Sequence, residues 1–218
     1  MKNLMFIAPP AAGKGTQAEL VQKKYKNPHI STGDILREIS KEDSEIGNYV
    51  AETLSSGGLV KDEITYQLIK ERLAKDDCKN GYIIDGFPRN LEQAKEYDKI
   101  LKELNYDIGN IILINIDEET LQKRVVGRRI CEKCGKIYNL NDPKQSPKED
   151  GICDSCGGKL YQRTDDNIEA FKNRYDTYLE KTAPIIEYYR KNHFLNEVDG
   201  AKSTKEVFKE IREIIDEK

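Results

Sequence analysis

The chain has 218 residues, 37% of them hydrophobic and 34% charged, and its 36 lysines and arginines nearly balance 39 aspartates and glutamates. That balance excludes a global field for nucleic acid or an anionic membrane, so any anion site must be local. The length suits one substantial core with inserted flaps, and the apolar run Leu4 to Ala8 is too short for a signal segment or for the ~20 residues of a membrane span, so a cytoplasmic protein is expected.

In chain order, Leu4-Met5-Phe6-Ile7 reads as a buried strand that ends at Pro9-Pro10, with a helix after the loop. The connecting segment is Ala8-Pro9-Pro10-Ala11-Ala12-Gly13-Lys14-Gly15-Thr16-Gln17. A phosphate loop needs inward backbone N–H groups, a lysine for the outer phosphates and a hydroxyl near Mg2+, all at a helix N-terminus; Gly13, Lys14 and Thr16 meet that need. The strict pattern has glycine where Ala8 stands, and Ser or Thr directly after the lysine, where Gly15 stands. Alone, Gly-Lys-Gly-Thr fits an ordinary loop and helix start. Its place between strand and helix, with Asp85 ending a later strand where a carboxylate can organise Mg2+, favours the phosphate loop.

Ile64, Leu68, Ile69 and Leu73 form an apolar stripe at helical spacing, and Leu91, Ala94, Tyr97, Leu101 and Leu104 form another. Between and after them, Tyr82-Ile83-Ile84 and Ile111-Ile112-Leu113-Ile114 repeat the buried-strand pattern, and Phe194-Leu195 with Val198 suggests one more strand. Strands alternating with helices imply an α/β fold whose parallel sheet is covered on both faces. Tyr178, Ile185, Tyr188 and Tyr189 read as a core-facing stripe rather than a partner site. In the last helix Ser203 and Glu206 make a capping box, with Val207, Ile211, Ile214 and Ile215 on the face that packs on the core.

Two Cys-x-x-Cys-Gly knuckles, Cys131 with Cys134 and Cys153 with Cys156, flank residues 135–152 just after the basic cluster Arg124 to Arg129. This spacing fits a four-thiolate zinc site that is closed and structural, with the glycine after each pair letting backbone N–H groups turn toward the sulfurs. Two disulfides would need an oxidising compartment, and iron also accepts four thiolates. The stretch Gly135 to Leu160 has little apolar content and no helical period, so it is expected to fold only around the metal. Cys78 has no partner at ligand spacing and reads as a plain thiol.

The loop after the first strand resembles the Gly-x-Pro-Gly-x-Gly-Lys-Gly-Thr-Gln loop of adenylate kinases, and most of the chain is similar to that family block by block. His29-Ile30-Ser31-Thr32-Gly33-Asp34-Ile35-Leu36-Arg37 resembles the segment that receives the nucleoside monophosphate, and Asp85-Gly86-Phe87-Pro88-Arg89, followed by Gln93, resembles the family signature. The knuckles match the zinc-bearing, long-lid branch. The resemblance implies a P-loop nucleoside monophosphate kinase fold with a core (1–30, 61–126 and 165–218), an NMP-binding subdomain (31–60) and a lid (127–164). It implies Mg-dependent phosphoryl transfer from ATP to AMP giving two ADP, with structural zinc, by a monomer that engages neither nucleic acid nor membrane.

By the same resemblance, ATP would lie against Ala11, Ala12, Gly13, Lys14, Gly15, Thr16, Arg124, Arg128, Ile137, Tyr138, Gly200 and Lys202. AMP would lie against Thr32, Arg37, Gly58, Leu59, Val60, Gly86, Arg89, Gln93, Arg163 and Arg174. Lys14, Arg128, Arg163 and Arg174 would neutralise the transferring group, Asp85 would hold hydrated Mg2+, and Asp165-Asp166 would help draw the lid shut. The chain departs from the family at Ala8 and Ala11, where the family usually has glycine. If either takes a positive φ, strain of ~1 kcal/mol or more and weaker ATP binding follow. A different donor or acceptor base, or a weakened nucleotide-binding zinc protein, are the alternative readings.

Overall fold

The computed structural model describes residues 2–193 and 195–217, so Phe194 of the expected last strand lies outside the described residues. The first strand, β1 (Leu4–Ile7), is buried along its whole length and leads through the loop into α1 (Lys14–Tyr25). Its alternating residues serve two layers, as a strand buried on both faces must. Met5 and Ile7 join Ile69, Tyr97 and Ile185 in one cluster, and Leu4 and Phe6 join Val21, Leu121, Val207 and Ile211 in the other.

The chain then makes β2 (His29–Ser31), α2 (Thr32–Ile39), α3 (Glu45–Ser55), α4 (Asp62–Leu73), β3 (Ile83–Asp85), α5 (Leu91–Glu103) and β4 (Asn110–Asn115). Both apolar stripes are helices, and both apolar runs are strands. Strand β2 left little trace in the sequence because it is three residues long, with only Ile30 fully buried. Helices α2 and α3 carry a small core of their own, Leu36, Val50 and Val60, set apart from the two main clusters.

Next come α6 (Glu118–Gly127), β5 (Arg128–Cys131), β6 (Ile137–Asn139), β7 (Leu160–Tyr161), α7 (Ile168–Thr177), α8 (Ala183–Asn192), β8 (Leu195–Asp199) and α9 (Thr204–Asp216). Five strands form one parallel sheet in the order β2-β3-β1-β4-β8. Connections leave β1 and β4 toward opposite edges, so the loop after β1 opens at the carboxyl ends of the strands, where such sheets bind ligands.

The cysteine-bearing excursion is more regular than its composition suggests: β6-β5-β7 make a small antiparallel sheet. Its packed residues are Cys131, Tyr138 and Cys153, with Cys156 and Leu160 against them. Ser203 and Glu206 form the capping box of α9, whose Val207 and Ile211 are buried. Ile185 and Tyr189 are core residues as expected, but Tyr178 instead borders a small cavity beside the phosphate loop, because a π-turn at Tyr178–Thr182 re-aims the chain between α7 and α8. No helix among the described residues is long and apolar enough to cross a membrane.

Candidate active site

A cleft of about 520 Å³ lies over the carboxyl ends of the strands, bounded by the phosphate loop, α2 and the small antiparallel sheet. That is the size of an ordinary small-molecule site. Gly13 caps α1 with a φ of 91°, and the loop from Ala11 to Thr16 lines the cleft floor. Lys14 turns back into its own loop, donating from Nζ to the Ala8 carbonyl at 3.0 Å and the Pro9 carbonyl at 3.1 Å. Burial pushes its ammonium down to about 8; Asp85 opposes the push, and Arg89, Arg174 and Arg128 add to it.

The two alanines behave differently. Ala11 adopts a φ of 63°, in the left-handed region, while Ala8 is buried at the end of β1 without a positive φ. Strain therefore sits at Ala11 alone. Ala11→Gly is expected to stabilise the protein by about 1 kcal/mol, roughly 2–4 °C in melting temperature. Ala8→Gly should be neutral or destabilising, since it only adds chain entropy to the unfolded state. Thermal melts of the two single variants separate these outcomes.

Asp85 ends β3 and is buried, 3.8 Å from His29 Nε2. Burial would raise its carboxyl, but the His29 contact and the charges of Lys14 and Arg89 hold it below the usual range. A carboxylate kept ionised, with the Thr16 hydroxyl on the same cleft wall and a buried His29 Nε2 lacking a hydrogen-bond partner, suits a hydrated Mg2+. His29 itself carried no warning in the sequence, being the first residue of an unpredicted strand.

Arg37, Arg89, Arg124, Arg128, Arg163 and Arg174 all face this cleft. Burial lowers Arg163 and Arg174 to about 10, and neighbouring guanidinium groups push the same way, Arg37 and Arg128 on the first and Arg128 and Arg89 on the second. Carboxylates pair with several of these arginines: Asp165 takes Arg174 at 2.8 Å, Asp166 takes Arg128 Nε at 2.8 Å, and Asp34 takes Arg37 at 2.6 Å with Arg163 at 3.5 Å. Arg89 is anchored by its Nε to the Gly86 carbonyl at 2.7 Å, and its own carbonyl accepts from Thr182 at 2.7 Å.

Of the expected acceptor residues, Gly86 lines the cleft with Arg37, Arg89, Arg163 and Arg174, while several others are engaged within the protein. Thr32 is buried and donates to the Asp85 carbonyl at 3.2 Å, bracing the strand end rather than facing the cleft. Gly86 lies against it so closely that a Cβ there would meet Thr32 Oγ1 at 2.6 Å. Gln93 is turned inward, its Nε2 donating to Asp62 at 2.7 Å and its Oε1 accepting from the Arg89 N–H at 2.7 Å. Its amide is thus spent on holding Arg89. Leu59 borders the small cavity of about 70 Å³ next to Arg89 and Arg174, whereas Val60 belongs to the satellite core and Gly58 packs on Thr53.

On the donor side, Ile137, Tyr138, Gly200 and Lys202 line the cleft, and Arg124 donates to the Gly200 carbonyl at 3.0 Å. The last helix contributes Thr204 and Val207 to the same wall, beyond the packing role its sequence implied.

The four cysteine sulfurs lie within 4.8 Å of one another, with Cys131 to Cys156 at 3.4 Å and Cys134 to Cys153 at 3.6 Å. Four thiolates ~2.3 Å from one zinc ion would stand ~3.8 Å apart, so the set fits a tetrahedral site and not two disulfides. Gly158 lets the backbone close over it, since a Cβ would meet Cys131 Sγ at 2.9 Å. The N–H groups of Gly135 and Gly157 go to the carbonyls of Cys131 and Cys153 rather than to sulfur; the N–H of Ser155 reaches Cys153 Sγ at 3.4 Å. The Cys153 thiol is brought down to about 6, chiefly by the Tyr138 hydroxyl. Cys78 lies apart, pushed up to about 11 by burial.

A phosphate loop at the sheet's switch point, facing a group of arginines beside a small cysteine-bearing flap, defines a P-loop nucleoside monophosphate kinase. The family model described as adenylate kinase matches residues 6–194. A Thermosipho africanus protein named adenylate kinase is 49% identical over 213 residues, 98% of this chain and 99% of that protein. One from Archaeoglobus fulgidus is 48% identical over 214 residues, covering 98% of each, and one from Fervidobacterium nodosum is 48% identical over 207 residues, 95% and 94%. The chain belongs to the adenylate kinase family.

Proposed function

We propose that the protein catalyses reversible, Mg-dependent transfer of the terminal phosphoryl group of ATP to AMP, giving two ADP. The convergence of Lys14, Asp85 and six arginines, among them Arg89, Arg128 and Arg174, on one cleft carries this reading, because a binding module has no need of so many transition-state charges. In this scheme residues 31–60 receive AMP, residues 127–164 close as the lid, and the remainder is the core.

The attacking AMP phosphate is already an anion, so the reaction asks for alignment, charge neutralisation and exclusion of water rather than a strong base. Arg37 and Arg89 would grip the acceptor phosphate. On binding, the phosphates replace Asp34, Asp165 and Asp166 as partners of Arg163, Arg174 and Arg128, gathering the charge that spreads over the transferring group. Asp85, with the Thr16 hydroxyl, would hold a hydrated Mg2+, which when bound supplies positive charge beside the phosphates. Lys14 would swing from the Ala8 and Pro9 carbonyls onto those phosphates. Lid closure over both substrates keeps water, the smaller nucleophile, from wasting ATP.

The Lys14 environment gives this scheme a pH signature. With its ammonium near 8 in the nucleotide-free protein, the cation that attracts phosphate is complete below that pH and is lost above it. Apparent ATP affinity should therefore fall about tenfold between pH 7 and pH 9, with proton uptake on binding near pH 8. Calorimetry in two buffers of different ionisation enthalpy measures both; Lys14→Ala should abolish the dependence.

The deciding experiment is a coupled assay of ADP formation from Mg-ATP, with AMP, other nucleoside monophosphates and no acceptor compared, and with Lys14→Ala as control. AMP-dependent turnover lost in the variant supports the proposal. A preference for another monophosphate would move the acceptor assignment, and a folded protein without turnover would favour a nucleotide-binding protein.

A further inference from the structure

Tyr138 belongs to two sites at once. Its ring lies in the wall of the nucleotide cleft, yet the residue is only 3% exposed and its hydroxyl points away, into the cysteine cluster. The Asp154 N–H donates to that hydroxyl at 2.8 Å, which uses the oxygen as an acceptor. The phenolic proton is left to point at Cys153 Sγ, 3.4 Å away. A ligating thiolate has no proton to give, so in the metal-bound cluster the tyrosine hydroxyl is the donor and Cys153 Sγ the acceptor. Lys136 holds the ring from outside, its Nζ 4.8 Å from the centroid and 2.9 Å from Ser155 Oγ between the two cysteines of the second knuckle.

We infer that Tyr138 is a positioning residue that ties the four-thiolate metal centre to the donor-nucleotide wall, so that metal and ATP strengthen each other's binding. The inference rests on the metal reading of the cysteines and, for its second half, on the proposed function. A hydroxyl bonded to a ligating sulfur offsets part of the charge that four thiolates place on one divalent ion, and it fixes the sulfur's direction. Removal of such outer partners typically costs ~10–100-fold in metal affinity. The ring cannot leave its place in the cleft wall while the hydroxyl is held by Cys153 and the Asp154 N–H. Because coupling is reciprocal, ATP tightens metal binding by whatever factor the metal tightens ATP.

The test uses the full-length protein and its Tyr138→Phe variant, which keeps the ring and loses only the hydroxyl, with Tyr161→Phe on β7 as a control that touches no cysteine sulfur. Zinc affinity is measured by chelator competition and the sulfur-to-metal charge-transfer band by cobalt substitution, both with and without ATP. Expected are a ~10–100-fold loss of zinc affinity and a shifted band in Tyr138→Phe only, and a tightening of zinc affinity by ATP in the wild type that shrinks in the variant. Wild-type zinc affinity with an unshifted band in Tyr138→Phe would overturn the inference, as would a wild-type zinc affinity that ignores saturating ATP. ATP binding is verified separately by calorimetry, so a chain that does not bind ATP counts against the proposed function, while the spectrum still decides the role of the hydroxyl.

Discussion

Arg174→Ala is expected to lower the rate of ADP formation by about a thousandfold or more, the usual worth of an arginine that meets a transferring phosphoryl group. The residue stands on α7, outside residues 127–164, so in the proposed scheme its position does not wait on closure; Arg128 and Arg163 lie at the two roots of that flap. Without nucleotide its guanidinium is held by Asp165 at 2.8 Å and sits near Arg128 and Arg89. Loss of the Asp165 pair is therefore offset by relief from two like charges, and melting should shift by no more than a few degrees, within roughly 1 kcal/mol. The separation matters: a residue that merely binds ATP would raise KM and leave kcat alone, whereas one reserved for the transition state lowers kcat and kcat/KM together. Steady-state kinetics with both substrates, beside ATP calorimetry on the variant, distinguish the two. A variant with wild-type kcat would remove Arg174 from the chemistry and leave it a partner of Asp165.

The elements that were legible in the sequence are those whose signal is carried by burial. Leu4 to Ile7 and Ile111 to Ile114 could be read as strands because both faces are covered, and Ser203 with Glu206 marked a helix start through a reciprocal pair of bonds. The phosphate loop and cysteine knuckles were legible because each concentrates its chemistry in a few contiguous residues. Edge strand β2 and the lid sheet were not, since they are short and held by backbone pairing and sulfur rather than by an apolar stripe. The hydrogen-bond partners that Thr32 and Gln93 take in the fold could not be read either. Each carries a polar group whose partner, the Asp85 carbonyl for one and Asp62 with the Arg89 N–H for the other, is brought near only by the folded sheet.

His29 and Asp34 show the same limit from the other side. Neither side chain is unusual in the chain, and what makes them part of the site is the fold: β2 sets His29 beside Asp85, and α2 sets Asp34 between Arg37 and Arg163. In the proposed scheme, the carboxylates paired with these arginines make binding an exchange of partners. A cluster of cations could not otherwise be kept in place before the phosphates arrive, because their mutual repulsion has no compensating charge.

Metal removal is the second large effect. The flap's packed residues are Cys131, Tyr138 and Cys153 with Cys156 and Leu160, so three of five are the proposed ligands, and its sheet has only short strands. Too little apolar surface is buried there to meet the entropy of ordering residues 127–164, whereas bound zinc contributes ~10–16 kcal/mol to a structural site of this kind. The core has its own two clusters around β1 and does not draw on the sulfurs. A strong chelator, or Cys153→Ser, should therefore melt the flap alone. Limited proteolysis would cut between residues 131 and 160, far-UV circular dichroism would keep most of its helical signal, and a lower first transition would separate from the core melt. Phosphoryl transfer should fall by at least a hundredfold, since Arg128 and Arg163 lose their fixed approach and water enters the cleft. Re-adding zinc to the chelated protein restores both protease resistance and turnover, while Cys153→Ser, short of one thiolate, recovers only in part. Global unfolding at room temperature on chelation would mean that the flap and core are one cooperative unit, and a metal-free flap that resists protease would show that its backbone pairing suffices.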